Sequence, residues 1–247
     1  MEKKDFFNQM AATWDERFYT GDMADRLSRL VSLFHLLPGS KILDVGAGQG
    51  MLAALLSRFG HECHALDIFD QTERYAGIYR QNGIHFQVCN SEVDPLPFAD
   101  NTFDAVVCCQ VLEHFTHSHL PVMREIRRVL RPGGVVEIDV PNAVCFRNRS
   151  RMIRGKHITF DYREHYLHAA PVLYKGLSFY PARHNREFTR QELMILLEEA
   201  GFSKIEVAFL KSRRYREGLG RFRSLGSALR DLAPSLRKSL IAFAEKG

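Results

Sequence analysis

Residues 42–50 read ILDVGAGQG: an aliphatic run enclosing Asp44, then glycine at 46, 48 and 50, with a helical run, MLAALLSRFG, behind it. A strand that runs into a glycine turn opening a helix directs free backbone N–H groups, and the positive end of the helix dipole, into the crevice above the strand ends. Ligands bind there in open parallel sheets. The dinucleotide fingerprint G-x-G-x-x-G uses the same device, with a third glycine that lets the helix pack closely. Here that third position is Met51, and the spacing is D-x-G-x-G-x-G. A dinucleotide is therefore the weaker reading.

Outward from this turn the chain alternates short aliphatic runs with helical patterns, as parallel βαβ units do. KILDVGA (41–47), HECHALDI (61–68), IHFQVC (84–89), FDAVVCCQ (103–110) and VVEIDV (135–140) are expected as five strands. Helices are expected over 50–59, 73–83 and 118–130, the last ended by RPGG. After Pro141 the pattern dissolves until TRQELMILLEEAGF, a helix with Thr189 as N-cap and Gly201 as stop. KIEVAFL (204–210) and SLIAFAEK (239–246) make a sixth and a seventh strand, and an amphipathic helix is expected over about 22–37. The fold class is α/β: a Rossmann-like, seven-stranded, mostly parallel sheet with helices on both faces, an N-terminal helical arm and a lid inserted after strand five. One domain is expected over 1–247, comprising a helical cap (1–38), a cofactor-binding core (39–142), a basic, aromatic substrate lid (143–187) and the C-terminal part of the sheet (188–247).

A 45% apolar and 26% charged composition is that of a globular protein, not a disordered one. The start lacks the apolar stretch of a secretory leader, and no later run is long enough to span a bilayer, so a cytoplasmic location is expected. The five cysteines are odd in number and form no C-x-x-C pair, which points to free buried thiols. Charge is segregated: 143–187 carries nine Lys/Arg against three Asp/Glu, and 211–231 carries seven against two, while the rest of the chain is acidic. Such local basic surfaces suit an anionic partner, including a membrane surface.

Further groups stand where a nucleoside needs them. Asp67 ends the second strand, where a carboxylate accepts from both ribose hydroxyls. Asn90 follows the third, where its side-chain oxygen is placed for an adenine amino group and the Ser91 N–H for a ring nitrogen. With ILDVGAGQG, HALDIF, NSEVDPLPFADNTFDAVVCCQVLEHF and VLRPGGVVEIDVPN in order, the sequence resembles the class I S-adenosylmethionine-dependent methyltransferases, closely over 40–142 and more loosely over 188–247. The resemblance implies S-adenosyl-L-methionine as cofactor, with Asp44, Gly46, Ala47, Gly48 and Gly50 around the methionine part. It likewise implies Asp67 and Ile68 at the ribose, Asn90 and Ser91 at the adenine, and Gln110 at the methionine part. Asn90 stands where the family usually has Asp. The FFNQMAATWDERFY segment resembles the family's cofactor-covering arm, in which Trp14 or Tyr19 would close over the ligand.

A sulfonium is already a strong methyl donor, so the protein's main task is to hold a nucleophile in line with the S–CH3 bond. For a hydroxyl or phenol acceptor a general base helps, and His114 after strand four is the first candidate, with His165 and His168 in the lid behind it. Glu113 reads as a brace for the loop. Tyr162, Tyr166, His184 and Arg186 are the candidate acceptor contacts, and no metal is required. The expected function is methyl transfer, at oxygen, to an anionic or lipid- or carrier-linked small molecule. An RNA methyltransferase is the alternative enzyme, although the strand-four exit CQVLEHF lacks the motifs of base methylators. A non-catalytic cofactor-binding scaffold is the alternative from another class.

Overall fold

The computed structural model describes Leu30 and residues 35–159, 161–210 and 233–247. Of the expected arm helix (about 22–37) only Leu30, helical and buried, and 35–37, which are not helical, are described; Trp14, Tyr19 and the 211–231 basic segment lie outside the described residues.

Seven strands form one sheet in the order β3-β2-β1-β4-β5-β9-β8. They are β1 (Lys41–Val45), β2 (Glu62–Asp67), β3 (His85–Val88), β4 (Phe103–Cys109), β5 (Leu130–Pro141), β8 (Ser203–Leu210) and β9 (Ser239–Glu245). β9 runs antiparallel to both β5 and β8, and the remaining pairings are parallel. The seven expected strands and the mostly parallel sheet are thus as read from the sequence.

The aliphatic runs form central strands because both faces are covered. Along β1, Leu43 and Val45 enter one core while Ile42 enters the other; along β4, Val106 and Cys108 oppose Ala105 and Val107. One core is closed by α3 (Leu120–Val129), whose Val122, Met123, Ile126 and Val129 are buried, and by α5 (Arg190–Glu199). The other is closed by α1 (Met51–Arg58) and α2 (Ala76–Gln81). Thr189 caps α5 as expected: its side chain accepts from Glu192 N, and Glu192 returns a bond to the Thr189 N–H. All five cysteines are free, four buried and Cys109 partly so.

Three local features depart from the expected pattern. The 73–83 helix shrinks to Ala76–Gln81, because Asp70 accepts from Thr72 N and Thr72 Oγ1 and holds the preceding residues in turns. RPGG is not a plain stop: β5 begins at Leu130 and passes through these residues with a register shift, Phe103 pairing with Leu130 and Ala105 with Val135. The patternless insertion after β5 is folded. It holds α4 (Phe146–Ile153), a π-helical turn (Arg163–Leu167) and a hairpin of β6 (Val172–Tyr174) and β7 (Leu177–Phe179).

Candidate active site

The glycine turn is tied to β2 by Gly46 N and Ala47 N, both donating to the Leu66 carbonyl at 2.8 and 2.9 Å. Its three glycines have φ of 74°, 53° and 78°. A Cβ on Gly46 would stand 2.3 Å from Val111 Cγ2, and one on Gly50 2.9 Å from the Tyr79 ring, whereas one on Gly48 would meet nothing within 4 Å. Packing therefore demands the first and third glycines, while the middle one, in left-handed backbone, borders open space that a ligand can enter. Tyr79 supports the turn by donating its hydroxyl to Gly48 O at 2.8 Å.

Asp67 closes β2 with one carboxylate oxygen accepting from Gly48 N and the other from Phe69 N, both at 2.9 Å. Burial raises its pKa, against the pull of these backbone donors. Asp44 lies deeper; burial lifts its carboxyl to about 7, the Ala53 N–H opposes this and the Asp67 charge adds to it. Its Oδ2 has no hydrogen-bond partner among the described residues. Asn90 is buried beyond β3, and its Oδ1 accepts from Glu92 N at 3.1 Å, so the acceptor read for adenine already serves its own loop. Gln110, beyond β4, is left-handed (φ 58°), donates from its backbone to Asp139 O at 2.7 Å and borders the same cleft.

The opposite wall is a single turn of 3-10 helix, Leu112–His114, onto which the end of the lid is zipped. Asn185 N donates to Glu113 O at 2.7 Å and Asn185 Nδ2 to His114 O at 2.6 Å. His114 Nδ1 lies 2.7 Å from Arg183 O. A carbonyl only accepts, so Nδ1 carries the proton and the neutral ring keeps its lone pair on Nε2. Burial lowers the His114 pKa, helped by His184 and opposed by the Arg183 and Pro181 carbonyls. His184 meets the His114 ring edge-on at 5.0 Å, and its Nδ1 is 3.4 Å from Glu187 Oε1.

Of the residues expected from sequence, Gly46, Asp67, Ile68, Asn90, Ser91, Gln110 and His114 line one cleft. Tyr166 stands one step back, donating its hydroxyl to His184 O at 2.8 Å. His165 and His168 do not border the cleft: they belong to the π-helical turn and its end, where the His165 carbonyl accepts from Arg183 Nε at 2.5 Å. Tyr162 is exposed and stacks on Tyr166. Arg186 turns away to Glu192 and borders a separate surface groove beside α5.

Sequence reasoning noted Phe179 and Tyr180 only among the lid's aromatic residues and missed Phe115 and Pro181; the four give the cleft an apolar, aromatic wall. It also missed two fasteners. Glu92 Oε1 accepts from Thr116 N, Thr116 Oγ1 and His117 N at 2.7, 2.8 and 2.7 Å, with His117 Nδ1 at 2.6 Å. At the hairpin tip, Tyr174 donates its hydroxyl to Asp94, whose other oxygen takes Lys175 Nζ at 2.8 Å. The only local signal for these was the run of acids in NSEVD.

A glycine turn with open space at its middle residue, an acid closing the next strand and a buried amide beyond the third define the cofactor site of a class I methyltransferase. The chain belongs to the methyltransferase-domain family, whose model matches residues 15–207. It is 30% identical over 108 residues to the ubiquinone biosynthesis O-methyltransferase of Xanthomonas campestris pv. campestris, covering 43% of this chain and 45% of that protein. It is 33% identical over 149 residues to the demethylmenaquinone methyltransferase of Corynebacterium urealyticum, covering 59% of this chain and 57% of that protein. The match thus spans about half the length of these curated relatives. The fold is shared with an S-adenosylmethionine-dependent methyltransferase from Mesorhizobium loti, with a TM-score of 0.59 and 20% identity over 88% of this chain and 95% of that one.

S-adenosylmethionine, the cofactor of this class, fits the residues present. The space beside Gly48 admits a ligand against bare backbone, and the Asp67 carboxylate suits ribose hydroxyls. Asp44, buried with an unpartnered oxygen, would gain from a nearby cation.

Proposed function

We propose that the protein transfers a methyl group to an oxygen of a small aromatic, anionic acceptor seated between His114 and the aromatic wall. The observation that carries this reading is the hydrogen bond of His114 Nδ1 to Arg183 O, which puts the neutral ring's lone pair on Nε2. The cofactor supplies an activated methyl group on sulfur. His114, neutral near pH 7 because burial lowers its pKa, accepts the acceptor's hydroxyl proton as the new bond forms. Phe115, Tyr180 and Pro181 offer apolar side chains against which an aromatic ring can pack. The basic lid supplies the attraction for an anion. The Xanthomonas relative, by its name an O-methyltransferase of ubiquinone biosynthesis, supports an oxygen acceptor on a ring.

The test is methylation of a panel of catechols, hydroquinones and aromatic acids with labelled S-adenosylmethionine. A phenolic oxygen should take the label, and His114→Asn should slow transfer by about 10² to 10⁴ while S-adenosylhomocysteine still binds. Labelling at nitrogen or carbon would reassign the reaction. The reading needs no metal, so turnover should survive EDTA. Glu113, His114 and His184 do bring ligand atoms within 4.8 Å of one another. Loss of turnover on chelation would therefore recast His114 as a metal ligand.

A further inference from the structure

The lid's outer surface is out of keeping with the rest of the protein. Of the fourteen large apolar side chains exposed among the described residues, eight lie between Val144 and Leu177. Ile153 is 86% exposed, Leu173 73%, Met152 65% and Phe146 52%. Exposed apolar side chains are thus concentrated in this stretch of the chain, and where such side chains share one face they mark an interaction surface.

α4 sets two of these side chains on one face. At about 100° per residue, Phe146 and Ile153, seven positions apart, fall on one side of the helix. Asn148, its single buried residue, faces the opposite side, where its Nδ2 donates to Ala143 O at 3.0 Å and to Glu187 at 2.5 Å. The outward stripe is flanked by Arg149 on one side and by Arg147 and Arg154 on the other. From Asn142 to residue 160 the chain has no acid, and it carries Arg147, Arg149, Arg151, Arg154 and Lys156. Among the described residues these cations meet no carboxylate; Arg149 Nε and Arg154 Nε donate instead to the Val144 and Ser150 carbonyls at 2.6 and 2.9 Å. An apolar stripe edged by arginines is the pattern of a helix lying in a lipid interface, where the aliphatic tips enter the acyl boundary and the guanidinium groups reach headgroup phosphates.

We propose that α4 and the surrounding lid surface dock on an anionic lipid bilayer. Ile153, the most exposed of these side chains and part of the stripe, favours lipid over nucleic acid, which rewards cations and stacked aromatic rings but gains little from aliphatic tips. α4 begins five residues beyond the end of β5, the neighbour of β4, whose end leads to Gln110 in the cleft. Docking therefore brings the acceptor entrance to the interface, where a tailed acceptor would be found. This inference stands on the lid's surface alone and does not require the phenolic reading.

The experiment is sedimentation of the full chain with phosphatidylcholine vesicles, alone or with about a third phosphatidylglycerol. Binding should be confined to the anionic vesicles. Phe146→Ser with Ile153→Asp should weaken it about tenfold or more, and Arg149→Gln with Arg154→Gln about as much, at roughly fivefold per charge. S-adenosylhomocysteine affinity, measured by calorimetry, should be unchanged in both. Hydrogen exchange of the wild type, which needs no variant, should show the 146–154 amides protected by the anionic vesicles. Failure to sediment, an apolar variant that partitions like wild type, or protection elsewhere in the chain would each overturn the proposal. So would single-stranded RNA displacing the vesicles from wild type and apolar variant alike.

Discussion

The cofactor half and the lid are built on opposite principles. Between Lys41 and Gln110 the ligand-facing groups are set by backbone: a glycine turn bonded to β2, an aspartate accepting from two main-chain N–H groups, a left-handed glutamine. Between Ala143 and Glu187 little is buried, and the lid is fastened to the core mainly through individual side chains and a few backbone bonds. Rigid backbone suits a ligand that never changes, and side-chain fasteners suit a surface that must open and be re-specified. The comparison predicts that damage to the first region is all-or-none and damage to the second is graded.

The largest effect should come from Asp67→Ala, which removes the ribose acceptor and leaves Gly48 N without its partner. S-adenosylhomocysteine affinity by calorimetry should fall at least about a hundredfold, as expected for loss of a charge-assisted pair. Unchanged affinity would break the cofactor side of the comparison. Next, His114→Asn should lower turnover by about 10² to 10⁴, the usual contribution of a general base, with cofactor affinity within about twofold of wild type. The wild-type rate should fall on the acid side of the ordinary histidine range, since burial depresses the His114 pKa, and should be flat above pH 7. Displacement of that acid limb toward higher pH would count against His114.

Asp94→Asn should be milder. Burial works against ionisation of Asp94, but Lys175 and Tyr174 outweigh it and hold its pKa low. Weakening this clasp should speed exchange of the 172–181 amides, and quicken S-adenosylhomocysteine release by about five- to tenfold, while the β1 and β2 amides stay as protected as before. Spread of the faster exchange into β1 would show that lid and core are one unit. The smallest effect concerns Asp44. Its folded pKa, about 7, lies above the ordinary carboxylate value, so its stabilising contribution is complete below about pH 4 and is lost as pH rises through 7. The Tm of the ligand-free protein should decline modestly over that interval, and Asp44→Asn should flatten the decline.

The cofactor half was legible because its chemistry is local. Asp44, Gly46, Gly48 and Gly50 sit within seven residues, and Asp67 and Asn90 each end a strand that the aliphatic pattern marks. The lid was not legible, because its order depends on partners far off in sequence. Tyr174 meets Asp94 across 80 residues, and His114 meets Arg183 across 69. No periodicity records such pairs. The sequence ranked His114 ahead of His165 and His168 only by its place after strand four, and it is the packing of the lid's last residues onto Leu112–His114 that sets the first in the cleft wall and leaves the other two off it. Asn90 shows the limit within the legible half: its place beyond the third strand was legible, but the bond its side-chain oxygen accepts from Glu92 N was not.

The single oxygen Glu92 Oε1 gathers four contacts from Thr116 and His117 while its own backbone hangs from Asn90. The segment facing the base and the segment facing the reacting group are thereby riveted at one point. A shift of one segment would be felt by the other, which would tie release of the spent nucleoside to release of the methylated product.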